Sequence, residues 1–222
     1  MTLLTLAAEA KIPSAAWTPV AFVAILALIF TIGSFWWLHA RQGHLKAYEP
    51  HSFAAAANQQ VTLLRFPLVV LNTGAKPIVV QDLRLIFPDE PGVPLPLPWR
   101  TSRSQIMPKP DDGHALPAVF AVAGRGAEQM FIEFGAPFPG FVPEARNYRV
   151  VIEARLGHRK GWRSLLTFTW HAARMTTPNQ YITYSNSPHD LSEEHREKAD
   201  AALKALAAKI VRGNSPEADD QR

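Results

Sequence analysis

The fold is decided by residues 148–171, which read YRVVIEARLGHRKGWRSLLTFTWH. Apolar and polar residues alternate on both sides of the loop Gly-His-Arg-Lys-Gly, which is typical of two half-buried strands joined by a hairpin. The predicted facing pairs are Leu156 with Trp162, Ala154 with Ser164, Ile152 with Leu166, Val150 with Phe168 and Tyr148 with Trp170. Because this face is apolar nearly throughout, it predicts an antiparallel hairpin whose inner face lies on a core.

Six further predicted strands share the same alternation and are separated by proline- and glycine-rich turns; they are residues 61–71, 78–87, 99–107, 118–123, 128–134 and 181–185. Short strands with no helical pattern between them predict a mainly β, antiparallel, immunoglobulin-like β-sandwich. We expect this domain to occupy residues 61–186.

The composition excludes several classes of protein. The chain has 222 residues, 47% of them hydrophobic and 19% charged, which is too apolar for a disordered protein. It contains no cysteine, so disulfide scaffolds, cysteine-containing zinc sites, iron–sulfur clusters and thiol catalysis are excluded.

A membrane segment precedes the β-region. Residues 20–38 read VAFVAILALIFTIGSFWWL and carry no formal charge, which predicts a transmembrane helix over 17–39 after a short leader, 1–16. A cleaved signal peptide is the alternative, with a shorter apolar run and a positively charged leader. In the leader of this chain the charge of Glu9 cancels that of Lys11, so the leader is not positively charged as a signal peptide requires. We therefore expect an uncleaved single-pass anchor.

The charges that flank the helix predict its orientation. Lys11 precedes it, whereas Arg41 and Lys46 follow it. Because Lys and Arg accumulate on the cytoplasmic side, we expect a cell inner membrane protein with its N-terminus outside and its β-domain in the cytoplasm. Residues 40–60, polar and rich in alanine, are predicted to be a linker.

The turn Asn72-Thr73-Gly74 lies between two apolar strands, and Asn and Gly tolerate the left-handed backbone of such turns. This stretch resembles the Asn-x-Gly hairpin of immunoglobulin-like adhesion and desiccation-type sandwiches. With the anchor in front, the chain resembles uncharacterised bacterial single-pass membrane proteins that carry such a domain. The resemblance covers about residues 60–185 and departs at the proline-rich segment 87–99. It implies a β-sandwich and a non-enzymatic role, with no catalytic residues to carry over.

The hairpin is strongly basic. Six basic residues and one acidic residue, Glu153, lie between positions 146 and 163. The predicted register places Arg155 opposite Arg163, a destabilising pair. A basic tip is typical of surfaces that bind phosphate, anionic lipid or an acidic partner, although arginines also extend into solvent over apolar surface. The candidate anion- or partner-binding residues are Arg149, Arg155, Arg159, Lys160 and Arg163.

A C-terminal amphipathic helix is predicted over residues 187–213, followed by a disordered tail, 214–222. Leu203, Leu206 and Ile210 form one narrow apolar stripe. This stripe either binds a partner helix or docks on the chain's own β-domain.

No motif of an enzyme is present: the chain has no Gly-x-Ser-x-Gly, no P-loop and no His-Glu-x-x-His. Asp111, Asp112 and His114 share one loop, which we interpret as solvated rather than as a cation site. His158 and His171 are interpreted as structural histidines. Trp99, Trp162 and Trp170 are predicted to be core residues. We therefore predict no catalytic, metal or cofactor-binding residue.

Two functions compete for such a chain. The first is a non-enzymatic, membrane-anchored accessory or scaffold protein whose β-domain binds another membrane or membrane-associated protein. The alternative is a module that binds anionic lipid or another polyanion through the basic hairpin, residues 146–163. No nucleic acid partner is expected.

Overall fold

The computed structural model describes residues 19–58, 60–90, 96–109, 112–136, 141–190 and 192–213. The chain divides into two compact units, Met1–Arg41 and Gln42–Arg222. The predicted leader and the predicted tail lie outside the described residues.

The first unit contains the apolar helix. Helix α1 spans Pro19–Phe35 and continues as a π-helical turn, Trp36–Ala40. Together they form a 22-residue apolar helix. Its length and composition suffice to cross a membrane, and a signal sequence near an N-terminus has the same properties. The guanidinium of Arg41 lies 4.2 Å from the centre of the Trp37 ring.

The second unit is built mainly from strands, as predicted. The described residues form β1 (Leu45–Ala47), β2 (Ser52–Ala57), β3 (Thr62–Asn72), β4 (Ile78–Ile86), β5 (Leu97–Arg103), β6 (His114–Ala115), β7 (Phe120–Val122), β8 (Ala127–Ala136), β9 (Asn147–Leu156), β10 (Trp162–His171) and β11 (Ile182–Ser185). All eight predicted strands are present.

The strands are antiparallel and form one continuous sheet in the order β10-β9-β4-β5-β8-β3-β2-β11. The sheet curls into a half-barrel, and the predicted immunoglobulin-like sandwich of two separate sheets is not confirmed. Strand β5 is the reason, because Leu97 and Pro98 pair with β4 whereas Trp99 and Thr101 pair with β8. A register shift between Trp99 and Thr101 turns the strand, so that it joins the two halves.

The region predicted as a linker, residues 40–60, contains two strands instead. Strand β2 pairs with β3 and β11, and its side chains from Phe53 to Ala57 are buried. Because β2 is paired on both sides, a segment of low β-propensity becomes an interior strand next to the edge strand β11. Strand β1 pairs with the end of β3. The β-domain therefore begins almost immediately after the apolar helix in the chain.

The core is rich in aromatic side chains. Trp170 is completely buried and lies 5.7 Å from Phe53 and 5.5 Å from Tyr148, measured between ring centres. Trp99 is also buried, so two of the three tryptophans predicted for the core belong to it. Trp162 does not, because it lies half-buried on the outer face of the sheet beneath the guanidinium of Arg84.

Helix α2 spans Glu193–Gly213. Ser192 caps its start, where the side-chain oxygen accepts a hydrogen bond from the His195 N–H at 3.3 Å. Leu203 and Leu206 are buried, and Ile210 packs on the same core. The apolar stripe therefore docks on the chain's own domain, which favours that alternative over a partner helix.

Candidate functional site

The basic residues of the hairpin separate into three groups. At the base of the hairpin, Arg146 is bonded to Glu90 at 2.7 Å and to Glu144 at 2.8 Å. Arg149 lies 3.8 Å from Asp89 on the exposed surface. Their charges are directed toward acidic groups of the chain itself, so this end of the hairpin has little net positive field.

A second group lies on the outer face of the sheet. Glu153 and Arg84 form an ion pair at 2.7 Å, and the Arg84 guanidinium stacks over Trp162 at 4.2 Å. Arg155 lies between Trp162 on β10 and Asp82 on β4. The predicted apposition of Arg155 and Arg163 is therefore wrong.

A β-bulge explains this difference. The pairs Ile152–Leu166, Val150–Phe168 and Tyr148–Trp170 are present as predicted. Between Ser164 and Leu166 the register shifts by one residue, and nearer the tip Arg163 lies opposite Ala154. Ala154 is on the buried face of β9, and directly paired residues share a face. The bulge therefore moves Arg163 from the outer face to the inner one.

The third group lines an open groove where the inner face ends at the hairpin tip. This groove has a volume of about 200 Å³ and is lined by Gly43, His44, Leu45, Ala154, Leu156, His158, Arg159, Arg163, Ser164 and Leu165. Its basic side chains are exposed, whereas Ala154 and Leu156 are buried and form the floor. Among the residues that the structure describes, no acidic side chain belongs to the lining. Lys160 is exposed on the same tip loop but does not line the groove.

The tip loop is attached to the neighbouring strand. The Gly157 N–H donates to the Val79 carbonyl at 2.9 Å, and the Arg159 N–H donates to the Leu156 carbonyl at 3.2 Å. Gly161 closes the loop with a φ of +77°, a conformation that favours glycine. These bonds hold Arg159 close to the mouth of the groove.

The opposite wall of the groove is the segment Gly43-His44-Leu45, which is held by the turn after β3. The His44 N–H donates to Thr73 Oγ1 at 3.1 Å, and the Thr73 N–H donates to the His44 carbonyl at 3.1 Å. A Cβ built on Gly43 would lie 2.0 Å from the backbone nitrogen of Gly74. The close approach of the two backbones therefore requires glycine at both positions.

Asn72 organises that turn. Its buried side chain accepts the Gly74 N–H at 2.9 Å and donates to the carbonyls of Lys76 at 2.8 Å and Val122 at 3.1 Å. The sequence favoured a left-handed backbone at this turn, but the turn does not adopt one. Among the described residues only Arg125 and Gly161 have a positive φ, so Asn72 and Gly74 do not. The Asn-x-Gly pattern instead provides an Asx turn and close backbone packing.

Sequence reasoning missed a buried ion cluster centred on β3, away from the residues that line the groove. Arg65 is 1% exposed and bonds Asp112 at 2.9 Å and Glu133 at 3.1 Å. Its remaining donors bond the Tyr181 hydroxyl at 3.0 Å and the Gln105 carbonyl at 2.9 Å. The available signal was a charge set between two apolar residues in each of two strands, Leu-Arg-Phe and Ile-Glu-Phe.

The pKa shifts of this cluster show that its charges stabilise one another. Burial alone would raise the pKa of Glu133, but hydrogen bonds from Tyr181 and Arg65 outweigh burial and lower it. The pKa of Asp112 is also lowered, because the Ser104 hydroxyl and the charge of Arg65 outweigh its burial. Burial and the adjacent Glu133 raise the pKa of Tyr181. The cluster attaches the loop after β5 to the sheet, which is a structural role.

The other candidate residues do not come together. Asp112 is bonded to Arg65, His114 is exposed, and Asp111 lies outside the described residues. Within the described ranges no group of three or more His, Asp or Glu side chains could hold a metal ion. His171 contacts Asn147 Oδ1 at 2.8 Å, and burial followed by the nearby charge of Arg174 lowers its pKa.

Comparisons with known protein families and with curated proteins found no match. Among solved structures, the crystal structure of a protein from Archaeoglobus fulgidus is similar at 10% sequence identity. The alignment covers 64% of this chain and 98% of that chain, with a TM-score of 0.31. A likeness at this level carries no argument about function, which must come from the geometry of the chain.

Proposed function

We propose that this chain is a single-pass membrane protein whose non-enzymatic β-domain binds the anionic surface of the membrane through the hairpin tip. The observation that carries the proposal is the basic groove, whose described lining contains no acidic residue. Arg159, Lys160 and Arg163 have no ion-pair partner among the described residues, in contrast to Arg146 at the other end of the hairpin. Each basic residue near an anionic leaflet contributes about 1 kcal/mol.

The covalent chain supports this proposal. Gly43 follows Ala40, the last residue of the apolar helix, by only three positions, and an extended chain advances at most about 3.6 Å per residue. One wall of the groove is therefore made of residues that directly follow the apolar helix in sequence. A helix that spans the bilayer would keep this wall near the headgroups.

We further propose that the helix is an uncleaved inner membrane anchor with the β-domain in the cytoplasm. This orientation is supported by the positive charges that flank the helix, because one, Lys11, precedes it and two, Arg41 and Lys46, follow it. The cytoplasmic leaflet carries the anionic lipids that a basic tip requires.

The proposal is tested with the full chain in lipid nanodiscs. Because the chain has no cysteine, Gln81→Cys provides a single thiol for a fluorophore. Gln81 is exposed, and its neighbour Val80 pairs with Leu156, so the label lies close to the hairpin tip. Quenching by spin-labelled headgroups should be stronger in discs that contain phosphatidylglycerol than in discs of phosphatidylcholine alone. It should weaken in high salt.

The test variant removes the three tip charges: Arg159→Ser, Lys160→Ser and Arg163→Ser. A matched control removes three charges elsewhere: Arg149→Ser, Arg196→Ser and Lys204→Ser. Quenching should be lost only in the tip variant. Equal loss in both variants would show a general charge effect and contradict the proposal.

A second candidate function is the accessory or scaffold role, in which the β-domain binds another protein. The observation that favours it is the apolar surface of the segment between β5 and β7, where Met107, Leu116 and Val119 are 56%, 75% and 64% exposed. Large apolar side chains exposed at several positions of one short segment would be covered by a partner protein at an interface. Leu116→Ser/Val119→Ser should release a partner that co-purifies from gently solubilised membranes, whereas Val211→Ser, which changes an exposed residue of α2, should retain it. Purification of the wild-type chain alone would count against this role.

A further inference from the structure

We infer that the groove at the hairpin tip is a site for a phosphate monoester, the headgroup class of a lipid such as phosphatidic acid. This inference rests on the proposed function and narrows it from a charged surface to a defined site. The basic residues that line the site are His44, His158, Arg159 and Arg163.

The charge of the site matches a dianion. Two guanidinium groups line the same groove, and neither has an acidic partner among the described residues. Guanidinium groups bind phosphate oxygens through paired, charge-assisted hydrogen bonds. A phosphate monoester carries more than one negative charge at neutral pH, whereas a phosphodiester carries only one. Two unopposed arginines therefore favour the monoester.

The size of the site limits the ligand to a small group. Its volume is about 200 Å³, below the roughly 300–1,000 Å³ of pockets for larger organic ligands. The floor is apolar, since Ala154 and Leu156 are buried and Leu45 and Leu165 are half-buried. A charged mouth above an apolar floor fits the phosphate and glycerol carbons of a lipid better than free phosphate.

The bulge at the tip of β10 shows that the site is built into the fold. Without the register shift between Ser164 and Leu166, Arg163 would lie opposite Arg155 on the outer face. With the shift, Arg163 lies opposite Ala154 and lines the groove. Bulges are known to redirect side chains next to functional sites. The bulge in β10 therefore determines that the Arg163 guanidinium lies in the groove.

The test uses the full chain in nanodiscs of phosphatidylcholine, titrated with three soluble probes. These are dihexanoyl phosphatidic acid, dihexanoyl phosphatidylglycerol and inorganic phosphate. Binding is followed by the fluorescence of the labelled Gln81→Cys chain. The monoester lipid should bind about tenfold more tightly than either of the other probes, the effect of one additional charge-assisted hydrogen bond.

The decisive variant keeps the net charge and moves one arginine. Arg163→Ser/Thr167→Arg transfers the guanidinium to an exposed position of the same strand that does not line the groove. The preference for the monoester should then disappear, while quenching in phosphatidylglycerol discs, the test of the proposed function, should remain. Arg149→Ser, at the base of the hairpin, should change neither result.

Three results would overturn the inference. If the two lipids bind with equal affinity, and if the transfer of the arginine does not change either affinity, the groove is a charged surface and not a defined site. Inorganic phosphate that binds as tightly as the monoester lipid would refute the lipid as the ligand. Absence of binding by every probe, together with absence of quenching in phosphatidylglycerol discs, would refute the proposed function as well.

Discussion

Arg65 on β3 and Arg163 on β10 belong to the same sheet, but their surroundings are opposite. Arg65 is 1% exposed and is bonded to two carboxylates, whereas Arg163 is exposed at the mouth of a groove that no acidic side chain of the described ranges lines. A buried arginine must have its charge compensated within the chain. An exposed arginine without a partner contributes little to folding and is available to a ligand. Arg65 thus stabilises the fold, whereas Arg163 is the arginine for which we propose a binding role.

The largest expected loss of stability follows from the replacement of Arg65. Arg65→Met would remove the cation bonded to both Asp112 and Glu133 and, among the described residues, leave Glu133 only a 3.7 Å ion pair with Arg103, at a cost of about 3–5 kcal/mol in the free energy of unfolding. Chemical denaturation of the full chain in detergent measures this cost. The comparison variant is Arg163→Met, with an expected change within about 0.5 kcal/mol. Similar losses in the two variants would refute the contrast between the arginines.

Acidification should weaken the same cluster. The folded-state pKa values of Asp112 and Glu133 are lowered, so the unfolded state binds these protons more readily than the folded state. Their stabilisation is therefore complete above the ordinary carboxyl pKa of about 4 and is lost as the pH falls through the lower folded values. Denaturation at a series of pH values should show a shallower acid loss in Glu133→Gln than in the wild type. Glu128→Gln, an exposed position on the same strand, should keep the wild-type slope.

A smaller loss of stability is expected where the backbones of Gly43 and Gly74 are in close contact. A Cβ at Gly74 would lie 2.0 Å from the Gly43 nitrogen, so Gly74→Ala should cost about 1–3 kcal/mol through overpacking. It should also speed hydrogen exchange at the His44 and Thr73 amides, whose bonds hold the groove wall. Gly113→Ala is the control, since a Cβ there would meet nothing within 4 Å. Unchanged exchange in Gly74→Ala would show that the groove wall is not held by this contact.

The smallest effect on stability is expected at the tip. Arg159→Ser and Lys160→Ser change exposed residues without ion pairs among the described residues, so each should shift the free energy of unfolding by less than about 0.5 kcal/mol. The same denaturation series measures both. A loss above about 1 kcal/mol would mean that the tip charges serve the fold rather than a ligand.

Local patterns in the sequence predicted much of this molecule. The apolar helix, the alternation in eight strands and three facing pairs of the hairpin follow from neighbouring residues and are present in the structure. Strand β2 was missed because Phe53-Ala-Ala-Ala-Ala has no alternation, and its burial depends on strands from distant parts of the chain.

Long-range pairing limited the prediction of the candidate site. The partners of Arg65 are 47 and 68 positions away, so the strand pattern showed an anomalous charge but not its purpose. The bulge was hidden because Ser164, Leu165 and Leu166 fit either register, and its position depends on packing against β9. Of the five predicted basic residues, Arg159 and Arg163 line the groove and Lys160 lies on the tip loop, whereas Arg149 lies at the base of the hairpin and Arg155 on the outer face of the sheet.

The most direct test of the central claim observes both kinds of arginine in one sample. The full chain, labelled with nitrogen-15 at arginine and held in phosphatidylcholine nanodiscs, is titrated with dihexanoyl phosphatidic acid while the Nε–H resonances are recorded. The account predicts shifts at Arg159 and Arg163 and none at Arg65, whose Nε–H is bonded to Tyr181. Shifts of equal size at Arg149 and Arg155 would contradict it, because the lipid would then recognise general positive charge rather than the groove.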